Sequence, residues 1–187
     1  MPSRYAEADS MGTNLLRYYL WKRNQQMPYV GIITGAVNPT AVQLAQRERF
    51  HAIYSQIKDK GEAFQHFCNV YQLKPEQVVC WFDDANDLAM AQKAGLRILI
   101  RRKSTPMFTD FVKKNKLCDY VTAAEGGNYA VREVCELLLT LGGALEEVLL
   151  ARMELPAPYR IYSQLRAEIE PRFYKKESEN ILQWTLP

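Results

Sequence analysis

The sequence predicts a parallel α/β fold, a sheet of buried strands covered by helices. Three observations point there. Short apolar runs occur without polar alternation, as in residues 29–34 and 78–82. Segments with helical spacing separate them. The order strand, helix, strand then repeats along most of the chain.

Each element has its own signal. Residues 11–26 place Leu15, Leu16, Tyr19 and Leu20 on one helical face. Residues 29–34 form a continuous apolar strand. Pro39 suits the first turn of a helix over 40–49, with Asn38 as its N-cap. Residues 51–54 read as a short strand and 59–71 as an amphipathic helix. A turn at Lys74-Pro75-Glu76 leads into the strand 78–82. A helix over 84–94 is stopped by Gly95. Residues 97–100 form a strand, 106–116 a helix and 120–122 a short strand. A long helix over 129–149 follows, with Val131, Val134, Cys135, Leu138 and Leu139 at helical spacing. After Leu155 the character changes: Pro156, Pro158 and Pro171 interrupt a charged, aromatic stretch that runs to Trp184. The expected organisation is one domain over residues 1–151 and a C-terminal extension over 152–187. Within that extension 161–169 form a short helix, and the whole packs on the domain or a neighbouring subunit, or stays partly disordered.

Composition narrows the function. No apolar run approaches the roughly 20 residues that span a membrane, and Met1 to Glu7 contain no signal-peptide core. A net charge of +3 gives no ground for a nucleic-acid partner. The basic clusters Arg101-Arg102-Lys103 and Lys113-Lys114-Asn115-Lys116 read as solvated faces. Cys68, Cys80, Cys118 and Cys135 are widely spaced among apolar neighbours, as reduced core residues of a cytoplasmic protein would be.

The most informative stretch is the end of the 78–82 strand, where Asp83, Asp84 and Asp87 fall within five residues. Three like charges so close are costly unless a cation neutralises them. Oxygen ligands alone suit Mg²⁺, which takes one or two carboxylates with water and phosphate. Ligands in open α/β folds bind just outside the carboxyl ends of strands. The alternative is an acidic turn in which Asp84 or Asn86 caps a helix. Two further positions suit phosphate. Thr34-Gly35 ends the 29–34 strand with a hydroxyl and a residue that permits close backbone approach. Lys60 sits at a helix start, where its charge opposes the dipole, so a role on an anion competes with that of a plain surface lysine.

The order apolar strand-Thr34-Gly35, then Lys60, then strand-Asp83-Asp84-x-x-Asp87 resembles the second, third and fourth motifs of the haloacid dehalogenase superfamily. Residues 57–64, around Lys60, look like the lysine segment of its 3-deoxy-D-manno-octulosonate 8-phosphate (KDO-8-phosphate) phosphatase family. Asp119-Tyr120-Val121-Thr122 followed by residues 126–138 is similar to that family's C-terminal signature, and Asp9-Ser10-Met11-Gly12 to its helix start before the second motif. The match covers about residues 8–145. It implies a cap-less Rossmannoid three-layer sandwich and a homotetramer with shared active sites. It also implies Mg²⁺-dependent hydrolysis of a sugar phosphate through an aspartyl-phosphate. By motif position Thr34 and Gly35 would bind phosphate and Lys60 would neutralise it. Asp83 would ligate the metal, with Asp84 and Asp87 supporting it.

The pattern also departs from the family. Ala36 stands where arginine is usual, Phe82 where glycine is, and Asn128-Tyr129 where Arg-Gly is. The family's first motif, Asp-x-Asp-Gly on the central strand, supplies the nucleophile. Of the eight residues before Asp9, Glu7 is the only acid, so the sequence predicts no such strand in this chain. Its absence would leave two rows of backbone groups unpaired, unless the true N-terminus lies further upstream and carries the strand, or another segment, with residues 159–162 as candidate, fills the slot. A non-catalytic oligomerisation or binding module on the same fold is the alternative function.

Overall fold

The computed structural model describes residues 7–184. Helix α1 (Glu7–Asn24) begins with Glu7 and Asp9 and ends with Lys22 and Arg23, charges that complement its dipole. Strand β1 (Gly31–Ile33) follows, then α2 (Pro39–Glu48), where Asn38 accepts from Ala41 N as expected of its cap. Next come β2 (Ala52–Ser55) and α3 (Lys60–Val70), capped by Asp59. Strand β3 (Val79–Phe82) leads to a 3₁₀ turn at Ala85–Asp87 and the short α4 (Leu88–Ala91), in place of one longer helix. The chain continues through β4 (Leu96–Arg101), α5 (Pro106–Lys114), β5 (Tyr120–Glu125) and α6 (Ala130–Leu141).

The expected 129–149 helix breaks after α6. Gly143 takes a left-handed φ of 67° and closes its end, and α7 (Leu145–Glu154) starts anew. Helix α8 (Ala157–Ala167) and the hairpin β6 (Arg172–Glu177) and β7 (Asn180–Trp184) complete the described chain. The C-terminal residues are therefore built into the domain. Tyr159 and Tyr162 pack against Tyr18 and Trp21 of α1, and the Tyr162 hydroxyl donates to Asn14 Oδ1 at 2.7 Å. Residues 159–162 are helical and pair with no strand, which corrects their candidacy for the central slot. Strand β6 extends the sheet beside β2, with Tyr174 stacked on Tyr54 at 4.8 Å.

The strands form two sheets, β1-β2-β6-β7 and β3-β4-β5, parallel throughout except for β7. Helices cover both faces, because successive side chains alternate. Cys80, Phe82 and Leu99 point into one cluster with α3, α4 and α5. Trp81, Ile98 and Ile100 point to the other side, against Ala130 and Val134 of α6. Ile53 likewise faces Ala45 of α2, whereas Ala52 and Tyr54 face α3. The result is the three-layer sandwich expected. Gly12 matters for it: a Cβ there would lie 3.0 Å from Arg132 Cδ, so glycine lets α1 lie close against α6.

Strands β1 and β3 each have a partner on one side only. Ile33 of β1 packs into the cluster that holds Cys80 and Phe82 of β3, beneath Phe64 and Cys68 of α3. The two strands therefore share one core cluster, and among the described residues no strand pairs with the free edge of either. Residues 1–6, in which the sequence places no strand, lie outside the described residues.

At the opposite end of β2, His51 gives a pH signature. Val30 N donates to its Nδ1 at 3.2 Å, which requires that nitrogen unprotonated. Burial, with the nearby charges of Arg17 and Arg172, lowers its pKa from 6.5 to about 4. The unfolded chain then binds more protons between those values, so stability falls as pH drops through the window. The expected loss from this one group is about 3 kcal/mol between pH 6.5 and 4. Urea unfolding of wild type and His51→Asn checks it: the variant's stability should depend less on pH across that range, and equal slopes would refute it.

Candidate active site

The parallel strands bring Thr34 after β1, Asp83 after β3 and Arg102 after β4 to one edge, the carboxyl end of the strands, with Lys60 opening α3 after β2. Short turns close this edge, at residues 34–38, 56–59, 83–84 and 102–105. Thr34 follows β1: its N–H donates to Tyr54 O at 2.8 Å, and its own carbonyl accepts from Ile57 N at 3.2 Å. The side chain stays within its turn: Oγ1 lies 3.4 Å from Ala36 N and 3.3 Å from Ala36 O. Gly35 and Ala36 are exposed.

The three acids do different work. Asp87 is 4% exposed. Its Oδ2 accepts from the backbone N–H groups of Asp83 and Asp84, both at 3.2 Å, and its Oδ1 accepts from Lys60. Both oxygens are committed to shaping the loop and holding the lysine. Asp84 is exposed and caps the 3₁₀ turn, accepting from Ala85 N at 2.6 Å and from the backbone of Asp87. This is the capping role weighed from the sequence. Asp83 is partly exposed, and its Oδ2 accepts from Nε of Arg102 at 2.8 Å and also from Nη2. Among the described residues no group of three His, Cys, Asp or Glu side chains converges in a metal-ligating set. Glu7 lies apart from this edge, ion-paired with Arg47 at 2.9 Å.

Lys60 and Arg102 thus supply the neutralising cations that three adjacent carboxylates need. The Lys60 contact was foreseeable only as an anion contact of unknown partner. The Arg102 contact was missed, because Arg101-Arg102-Lys103 read as a solvated loop. The available signal was positional: Arg102 follows the strand next to β3 in a parallel sheet, so the two loops must be neighbours. The donor set still suits Mg²⁺ in a reduced form. Oδ1 of Asp83 accepts no hydrogen bond among the described residues, and one carboxylate with water and phosphate oxygens is a common magnesium shell.

Known proteins resemble this chain in sequence and in fold. A family model described as haloacid dehalogenase-like hydrolase matches residues 32–124, which span Thr34, Lys60 and the Asp83 loop. The 3-deoxy-D-manno-octulosonate 8-phosphate phosphatase KdsC of Escherichia coli K12 is 31% identical over 118 residues, 63% of this chain and 59% of that protein. The chain thus spans about three-fifths of the length of the curated relatives it matches. A putative HAD superfamily (subfamily III A) hydrolase from Legionella pneumophila superposes with a TM-score of 0.66 at 26% identity, covering 81% of this chain and 75% of that one. The KDO-8-phosphate phosphatase of Moraxella catarrhalis, crystallised with magnesium, phosphate and KDO, shares the fold with a TM-score of 0.64 at 24% identity, covering 79% and 77%. The family-model match, the relatives and the shared fold support the haloacid dehalogenase superfamily for this chain. Within it, the chain is KDO-8-phosphate phosphatase-like.

Proposed function

We propose that this chain forms the phosphate-handling body of a Mg²⁺-dependent phosphatase for a sugar phosphate of the KDO-8-phosphate kind. The observation that carries the reading is the placement of Thr34-Gly35, Lys60 and Asp83 at one edge, flanking the two open strands β1 and β3. In this reading the Thr34 hydroxyl and the Gly35 turn hold phosphate oxygens. Lys60, fixed by Asp87, places a positive charge beside them. Asp83 Oδ1 would hold the magnesium, with Asp84 and Asp87 keeping its loop in shape. A bound Mg²⁺ supplies charge neutralisation on phosphoryl oxygens. The attacking carboxylate would come from a strand seated between β1 and β3, whose carboxyl end would emerge between Thr34 and Asp83. Similarity to the KdsC phosphatase supports the sugar-phosphate class.

Mg²⁺ titration with a melting readout tests the metal. Millimolar Mg²⁺ is expected to raise the melting temperature of wild type by mass action and to leave Asp83→Asn unmoved. No shift in wild type would remove the metal from this chain. It would favour the second reading, a non-catalytic oligomerisation or binding module, which has an observation of its own: Lys60 and Arg102 already neutralise Asp87 and Asp83. We also place the protein in the cytoplasm as a homotetramer. Buried, free Cys68, Cys80 and Cys135 suit a reducing compartment, and no described helix is long and apolar enough to cross a membrane. Light scattering at micromolar concentration should give four times the chain mass; a monomer would count against the shared-site geometry.

A further inference from the structure

We infer that Arg102 sets how tightly Asp83 takes a divalent cation, because the guanidinium and the ion compete for one carboxylate. The inference rests on the proposed role of Asp83. Nε and Nη2 of Arg102 both donate to Oδ2 of Asp83, so the side chain that would ligate metal is already held by a cation of the chain itself. That hold is reversible where the Lys60 contact is not. The Arg102 side chain is 50% exposed and Asp83 31%, against 16% for Lys60 and 5% for Asp87. Arg102 can therefore swing into water at little cost, whereas Lys60 leaving would strand a buried carboxylate. Charge fixes what replaces it. With both cations in place, Asp83, Asp84 and Asp87 leave a net charge of −1. With Arg102 released the cluster carries −2, the complement of one divalent ion. Arginine suits such an exchange, since its guanidinium is weakly hydrated and always charged.

Mn²⁺ binding to the full chain, followed by electron paramagnetic resonance of the free ion, tests this without any turnover. Arg102→Gln is expected to bind Mn²⁺ about fivefold more tightly than wild type, with Arg102→Lys between them. Asp83→Asn should abolish the binding in both the wild-type and the Arg102→Gln background. Melting in EDTA should differ little between wild type and Arg102→Gln, which separates a change at the site from a change in folding. Equal or weaker Mn²⁺ affinity in Arg102→Gln, binding that survives Asp83→Asn, or no binding by any variant would each overturn the inference. The order of affinities stands apart from catalysis: a chain that follows it, yet hydrolyses no phosphate ester once an Asp-x-Asp-Gly strand is seated between β1 and β3, would refute the proposed phosphatase and leave the competition intact.

Discussion

Asp87→Ala is expected to destabilise the chain by about 3–5 kcal/mol, the usual cost of removing one partner of a buried ion pair. Asp87 is 4% exposed and the Lys60 side chain 16%. The substitution strands the Lys60 ammonium and also removes the acceptor for the N–H groups of Asp83 and Asp84. Lys60→Met should cost less, because the two N–H bonds still hold Asp87. The double variant should cost less than the sum of the two single changes, as coupled partners do. Denaturant unfolding in EDTA measures all three. A supporting carboxylate gives the same loss with and without Mg²⁺. A loss that appears only with Mg²⁺ present would instead make Asp87 a direct ligand.

Filling the gap between β1 and β3 should have the second large effect. Each strand has one edge without a partner, and the two share a core cluster; each hydrogen bond gained at such an edge contributes about 0.5–1.5 kcal/mol net. An apolar segment ending in Asp-x-Asp-Gly, placed upstream of Met1 or added as a peptide, is expected to seat as a parallel strand. It should raise the melting temperature by at least about 5 °C, given about 2–4 °C per kcal/mol at this size. Amide exchange should slow selectively within Gly31–Ile33 and Val79–Phe82. Unchanged exchange at those strands would mean that the edges are not a strand site.

The parallel sheet was legible because its buried strands read as unbroken apolar runs, and Cys80, Trp81 and Phe82 alternate between helix layers as the pleat demands. The caps at Asn38 and Asp84 were legible too, since each is a local bond within three residues. Non-local pairings were not. Strand β6 carries Arg172, Lys175, Lys176 and Glu177 around Phe173 and Tyr174, so its composition reads as a solvated tail. Only its register with Ile53 and Tyr54 makes it a strand. The helix break at Gly142-Gly143 was available in the sequence, but the apolar spacing on both sides concealed it. At the site, the motif order located Thr34, Lys60 and the acids. It could not divide the labour among the acids, because that depends on Lys60 and Arg102 arriving from other loops. Tyr129 shows a different limit: it holds a left-handed φ of 67° at the start of α6, a conformation that glycine adopts without strain.

The central claim is that this edge serves phosphate-ester hydrolysis once an aspartate strand completes it. The direct measurement is phosphate release from KDO-8-phosphate and a panel of other sugar phosphates by the strand-completed protein. Turnover is expected to require Mg²⁺ and to vanish when the first aspartate of the added strand becomes asparagine. It should fall by about 100-fold or more in Lys60→Met, and the 187-residue chain alone should show little or none. A completed protein that folds but hydrolyses no member of the panel would contradict the claim, as would robust turnover by the chain alone that is lost on Asp83→Asn.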